Sequence, residues 1–259
     1  MKISIITVCF NSEKTIRETI ESVLSQQTHN INEIEYIIID GGSNDSTLSI
    51  INDYRDKIAQ LLSEPDKGIY DAMNKGIRLS TGDIVGILNS DDLFNHENVL
   101  TCVSNTFKNN TDIDAIYGDL FYFNTENPTK SVRFWKSKAY YPSFFDDGFV
   151  IPHPTLFVRK QVYEKIGLYY SGFKISSDYE WMLRAFKVNK YRPYYINEVL
   201  VKMRMGGEST KNWRNILLGN KEIYQSWQMN HINVPLFFYL KRLVFKLKQV
   251  IINEPSHNR

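Results

Sequence analysis

The first half of the chain alternates short unbroken apolar runs with stretches whose apolar residues fall at helical spacing. Ile3 to Val8 is a continuous β-branched run, which predicts a strand buried on both faces. Lys14 to Gln27 then places Ile16, Ile20, Val23 and Leu24 three and four apart, a helix behind the candidate caps Asn11 and Ser12. The cycle repeats with a strand over Glu35 to Ile39 and a helix carrying Leu48, Ile51, Tyr54 and Ile58 on one face. A short strand over Ile58 to Leu62, a helix over Ile69 to Leu79 stopped by Ser80-Thr81-Gly82, a strand over Asp83 to Leu88 and a helix over Val99 to Lys108 follow. Such alternation implies an α/β fold, a mostly parallel Rossmann-like sheet flanked by helices. In sheets of this kind ligands bind beyond the carboxyl ends of the strands.

Past Lys108 the rhythm weakens. Ala115 to Phe123 and Ser131 to Trp135 read as longer strands, and the aromatic-rich segment Tyr140 to Phe149 has no clear period. Residues 136–210 therefore read as an elaboration that covers the sheet edge and lines the second half of a cleft. Near the end, Leu236 to Ile252 interleaves apolar residues with Lys241, Arg242, Lys246 and Lys248, as an amphipathic interfacial helix does. It is too charged to cross a bilayer, and two uses stay open: peripheral contact with an anionic membrane leaflet, or docking on the protein's own surface. The expected organisation is a domain over 1–210, with a nucleotide-binding half (1–110) and an acceptor-side half (111–210), and a C-terminal helical region over 211–259.

Composition narrows the function classes. At 259 residues, 42% hydrophobic and 23% charged, the chain has ample material for a core. The net charge of +2 is uneven: residues 236–259 hold five cations against Glu254, a net +4 that leaves −2 elsewhere. A near-neutral body argues against a nucleic-acid partner. Cys9 and Cys102 lack metal-type spacing and read as buried thiols in a reducing cytosol. Neither a signal peptide nor a membrane span is expected from the apolar runs.

Three apolar runs end in polar clusters: Phe10-Asn11-Ser12 after the first, Asp40-Gly41-Gly42-Ser43-Asn44-Asp45 after the second, and Asn89-Ser90-Asp91-Asp92 after the run from Gly82. Taken alone, Asn-Ser-Asp-Asp is equally a polar turn. Three such ends in one half-chain point to a single crevice, and paired carboxylates there suit a hard divalent cation, Mg²⁺ or Mn²⁺. No Gly-x-Gly-x-x-Gly and no Walker A loop follows a strand. A diphosphate would then be held mainly by metal and side chains.

Ile-Ile-Thr-Val-Cys-Phe-Asn from Ile5, Asp-Gly-Gly-Ser-Asn-Asp-Ser-Thr from Asp40, Glu-Pro-Asp-Lys-Gly-Ile-Tyr-Asp-Ala-Met-Asn-Lys-Gly from Glu64, and Gly-Asp-Ile-Val-Gly-Ile-Leu-Asn-Ser-Asp-Asp from Gly82 resemble glycosyltransferase family 2, the inverting GT-A-fold sugar transferases. Within it the chain is similar to the colanic-acid and O-antigen branch. His153-Pro-Thr-Leu-Phe and Ser177-Asp178-Tyr-Glu-Trp extend the resemblance to about Thr210. It implies that Asp40 recognises the nucleotide base, with Thr7, Asn11 and Gly41 in the same pocket. Asp91 then lies near the ribose and diphosphate, and Asp92 contacts the cation. Asp178 is the candidate general base, although Ser177 stands where the family often carries Glu, and a helix N-cap is the plainer use of Asp178.

Other residues carry weaker signals. Lys67, Tyr70 and Asp71 lie at a turn and helix start, where Lys67 and Asp71 either meet the donor or form a solvated face. His153, between two prolines, is a cleft residue or simply structural. Arg204, Gly206 and Gly207 match the family's late loop, which closes over the diphosphate, or form a glycine turn. The implied activity is that of a metal-dependent hexosyltransferase moving one sugar from a UDP-sugar to a lipid-linked saccharide in bacterial surface-polysaccharide assembly, at the cytoplasmic face of the inner membrane. No Gln-x-x-Arg-Trp follows Asp178, which favours single addition over processive synthesis. The alternatives are a sugar-nucleotide pyrophosphorylase and a non-catalytic nucleotide-sugar-binding subunit.

Overall fold

The computed structural model describes residues 1–28, 31, 33–124, 127–206 and 213–251, excepting the side chains of 127–132 and 246–251. Four parallel strands lie side by side in the order β3-β2-β1-β4: β1 (Lys2–Cys9), β2 (Glu33–Asp40), β3 (Gln60–Ser63) and β4 (Ile84–Ile87). The helices between them are α1 (Ile16–Leu24), α2 (Thr47–Asn52) and α3 (Ile69–Leu79). Beyond β4 the sheet continues through β8 (Phe157–Arg159), β6 (Ala115–Asn124), β9 (Pro193–Arg204) and β5 (Leu93–Phe94), with β7 (Asn127–Trp135) paired to β6. Here β8 runs antiparallel to both neighbours while β6 and β9 are parallel, so this half is mixed. The remaining helices are α4 (Val99–Asn109), α5 (Lys160–Ile166), α6 (Ser177–Met182), α7 (Trp213–Met229) and α8 (Phe238–Ile251).

Alternation along the strands fills two cores. Ile3 and Ile5 of β1 face Ile16, Ile20 and Val103, whereas Ile6 and Val8 face Met73, Ile77 and an aromatic group that includes Trp181 and Phe186. Each fully buried isoleucine contributes on the order of 1.5–3 kcal/mol, which fixes the strand register. A buried carboxylate reinforces it. Glu35 on β2 accepts Ser4 Oγ of β1 (2.6 Å) and the Thr81 N–H (2.7 Å) and Oγ1 (2.6 Å) before β4.

Two expectations change. Residues 136–210 do not merely cover an edge: they supply β8 and β9, which flank β6 inside the sheet. The three-residue β8 is too short to carry a period, and the aromatic residues around it obscure it. The second helix stops at Asn52 and gives way to a single 3-10 turn over Arg55–Lys57. Asn52 and Asp53 are poor helix formers, and the Tyr54 hydroxyl turns to α1, donating to Glu21 (2.6 Å) and accepting from Arg17 (3.0 Å).

The C-terminal region packs on the body through one face of α8. Phe238 is fully buried against Trp227 and Tyr179, and Phe245 meets Phe149 edge-on. Lys241 pairs with Asp147 (2.8 Å). Gly148 makes this approach feasible: any Cβ there would lie 2.6 Å from the Arg242 backbone nitrogen. Among the described residues, no helix is long and apolar enough to cross a membrane.

Candidate active site

The polar strand ends are tied into one wall. Asn11 follows β1 in a left-handed conformation (φ 49°) that asparagine tolerates. Its N–H donates to Ser43 Oγ (2.8 Å) and its Oδ1 accepts the Asn44 N–H (2.9 Å), joining the loops after β1 and β2. Ser12 Oγ lies 2.8 Å from Ser90 Oγ, which joins the first loop to the one after β4.

Asp40 ends β2 but is completely buried and turned into its own loop. Its carboxylate accepts the Gly42 N–H (3.2 Å), the Ser43 N–H (3.1 Å), Ser43 Oγ (2.5 Å) and Ser63 Oγ (2.6 Å). These bonds shape the loop that holds Gly41 and fix the Asp40 carboxylate at the end of β2. Gly41 itself donates its N–H to the Cys9 carbonyl (2.9 Å). Thr7 is likewise buried, its hydroxyl accepting from Tyr36 (3.1 Å), and lies behind the wall rather than on it.

The acid pair is placed differently. Asp92 is fully buried, and while its Oδ2 accepts from Asn89 Nδ2 (3.3 Å), its Oδ1 has no hydrogen-bond partner among the described residues. Burial, and then the charge of Asp91, push the Asp92 carboxyl well above the usual carboxylate range. Burial also raises Asp91, opposed by the charge of Arg204. Arg204, at the end of β9, bonds Glu18 (2.9 Å) and stacks on Phe123 (4.8 Å). It therefore belongs to a strand beside the acid pair rather than to a loop. Gly206 follows at φ 107°, and Gly207 lies outside the described residues. Among the described residues no group of three or more His, Cys, Asp or Glu side chains is arranged to hold a metal. The orphaned Asp92 oxygen beside Asp91 nevertheless fits a hard cation, which would supply the missing charge and leave further positions to water or phosphate.

Asp178 opens onto a cavity of about 270 Å³ bounded by β6, β7, α7 and α8. It sits in the first turn of α6 and accepts from the Tyr70 hydroxyl (3.0 Å), which also lies 2.8 Å from the Ile175 carbonyl. Behind it, buried Glu222 on α7 accepts the backbone N–H groups of Lys174, Ile175 and Ser176 at 2.9, 2.9 and 2.8 Å. Three charge-assisted bonds to consecutive amides fix the loop that aims Asp178. Burial raises the pKa of Tyr122, another residue of the cavity wall, and the Asp92 charge adds to the rise.

His153 is buried on the cavity wall, with Nε2 2.8 Å from the Tyr169 hydroxyl. Burial lowers its pKa, partly opposed by Asp178, which favours the neutral ring. Lys67 is exposed just before α3. Asp71 accepts the Lys67 N–H (3.1 Å) and steadies the helix start. Sequence reasoning missed Glu222, Trp135 and Arg242. For the two charged residues a signal exists: Glu222 is an acid on a face with Ile223 and Ser226, and Arg242 interrupts the apolar stripe of Phe238 and Phe245.

Parallel strands whose polar ends gather after β1, β2 and β4, continued by a mixed half-sheet, form the GT-A fold, which solved nucleotide-sugar transferases share. Residues 1–349 of S. aureus TarS in complex with UDP-GlcNAc align with a TM-score of 0.69 at 18% identity, over 96% of this chain and 73% of that one. A mannosyltransferase from Pyrobaculum calidifontis, in complex with GDP-Man and Mn²⁺, aligns at 0.61 and 14% identity over 98% and 76%. The model of glycosyl transferase family 2 matches residues 4–167. An uncharacterized glycosyltransferase of Mycobacterium tuberculosis is 31% identical over 71% of this chain and 68% of its own length. A PGL/p-HBAD biosynthesis glycosyltransferase of Mycobacterium bovis is 27% identical over 71% and 69%. The chain belongs to glycosyltransferase family 2 and is a glycosyltransferase, and the pyrophosphorylase reading falls away.

Proposed function

We propose that the protein transfers one sugar, with inversion, from a UDP-sugar to a lipid-linked saccharide during bacterial surface-polysaccharide assembly. The observation that carries this reading is Asp178, held by Tyr70 and the Glu222-bound loop on the wall of a cavity. Asp178 takes the proton of the acceptor hydroxyl as that oxygen bonds to the anomeric carbon, and the bond from that carbon to the β-phosphate oxygen breaks on the opposite face, releasing UDP. Asp92, with Asp91, would hold Mg²⁺ or Mn²⁺, whose charge offsets the negative charge that builds on the leaving diphosphate. The base and ribose lie on the wall formed by Asn11 and the Asp40–Ser43 loop, with Lys67 reaching the phosphates from the adjacent turn. His153 shapes the acceptor side, and Arg204 balances the charge of the acid pair.

The donor preference rests on the resemblance and on the UDP-GlcNAc complex of TarS. The lipid-linked acceptor rests on α8 and the turn before it, where Leu236 and Phe237 in the turn and Leu240 and Leu243 on the outer face of the helix are exposed. Such a face suits peripheral attachment to an anionic inner leaflet. Hydrolysis of UDP-, GDP- and dTDP-sugars with Mn²⁺ tests the donor. Release of UDP at the highest rate supports the reading, and a clear GDP preference overturns it.

A further inference from the structure

The cavity beside Asp178 holds donors that no described residue satisfies. Arg242 reaches it from the docked face of α8, with its guanidinium over the Tyr179 ring at 5.6 Å. Its Nε and Nη1 are sealed from solvent and, among the described residues, have no hydrogen-bond partner. On the β7 side, Trp135 Nε1 is in the same condition. All three atoms are donors only. Arg133 also lines the cavity, set against the rings of Tyr122 and Trp135 at 4.9 and 6.0 Å, and among the described residues Asp178 is the one acid on its wall. Unfilled N–H groups, two of them on one guanidinium, call for a ligand rich in acceptors. The planar fork of arginine matches a phosphate or a carboxylate.

We infer that Arg242, assisted by Trp135, binds an oxyanion carried by the sugar acceptor and so makes α8 part of the acceptor site. The inference rests on the glycosyltransferase reading and adds the class of acceptor: a glycoside bearing a phosphoryl or carboxylate group close to the hydroxyl that reacts. Asp91 and Asp92 do not line this cavity, and an oxyanion that binds while UDP is already bound is a second one, not the donor diphosphate. The exposed Leu240 and Leu243 on the far side of α8 put a lipid surface within one helix diameter of that anion.

The test is calorimetric titration of the full chain, saturated with UDP and Mn²⁺, with hexyl phosphate, hexanoate and hexyl β-glucoside. At least one anion should bind roughly 10-fold or more tightly than the neutral glucoside, as expected for a charge-assisted pair. The preferred anion identifies the source of the charge, phosphoryl or carboxylate. Arg242→Gln should erase the preference and leave UDP affinity within about 3-fold, while Arg242→Lys, which keeps the charge, should retain most of it. If Arg242→Gln lowers the melting temperature, Trp135→Phe removes one donor without touching α8 and should weaken the anion several-fold, on the order of one hydrogen bond. Equal binding of all three probes, an anion preference that survives Arg242→Gln in a folded protein, or an equal loss of UDP affinity would overturn the inference. Because only binding is read, a protein that lacks transferase activity would fail the donor-hydrolysis assay and not this one.

Discussion

The Tyr70 hydroxyl lies 3.0 Å from Asp178 Oδ1, joining the start of α3 to the start of α6 across 108 positions of sequence. Burial, and then the Asp178 charge, push the phenol well above its ordinary pKa, so it stays a donor at neutral pH. A hydrogen bond to a charged group is worth about 1.5–3 kcal/mol. Tyr70→Phe should therefore lower kcat roughly 10- to 100-fold with UDP affinity unchanged. Steady-state donor hydrolysis and UDP titration check this, and an unaltered kcat would remove Tyr70 from the positioning of Asp178.

The acid pair predicts a cation effect on stability. The folded pKa of Asp92 is raised, so its penalty is absent at pH values below the unfolded pKa and complete once pH exceeds the folded one. At pH values above the unfolded pKa, and without metal, burying Asp92 therefore destabilises the protein. Asp92→Asn should then raise the metal-free melting temperature, by about 1–3 kcal/mol in stability, and abolish the increase that Mn²⁺ gives the wild type. Differential scanning calorimetry with and without Mn²⁺ decides it, and an undiminished Mn²⁺ response in the variant would place the cation elsewhere.

The alternating strands and helices, and the polar ends that gather after β1, β2 and β4, were legible because apolar period and turn chemistry are local signals. Asp178 was legible as a residue, but its setting was not: the Glu222 carboxylate that holds its loop comes from 46 positions away, and no periodicity announces a bond to the backbone. The buried orientation of Asp40 was hidden for the same reason, since Ser63 caps it from a neighbouring strand. In the second half, β8 and β9 owe their places to pairing with β6, a tertiary choice that overrides local pattern.

Glu35 predicts the acid limb of stability. Burial pushes its carboxyl up, but bonds from Ser4, Thr81 and Lys2 outweigh this and bring it from 4.5 down to about 2. A depressed folded pKa means that its contribution is present above the unfolded value and is lost as pH falls from about 4.5 towards 2. Glu35→Gln should cost about 2 kcal/mol at neutral pH, with the two unfolding curves converging as the solution is acidified. Urea titrations across that range test it, and a constant gap between them would contradict the assignment.

The outer face of α8 predicts membrane partitioning. Leu236, in the turn that leads into α8, is 89% exposed, and Leu240 and Leu243 are more than half exposed on the helix itself, whose other face is docked. Replacing these three leucines with serine should reduce binding to vesicles containing phosphatidylglycerol about 10-fold or more, since each leucine side chain contributes on the order of 1–2 kcal/mol on burial. Cosedimentation reads the result. Unchanged binding by a folded variant would exclude this face as the membrane contact.

Most direct is the comparison of wild type with Asp178→Asn for Mn²⁺-dependent release of UDP from its preferred UDP-sugar, alongside calorimetric titration with UDP. The variant should bind UDP within about 3-fold of the wild type and lose roughly 10²- to 10⁴-fold in turnover, the span of a missing general base. Turnover at the wild-type rate would contradict the assignment of Asp178 as the catalytic base.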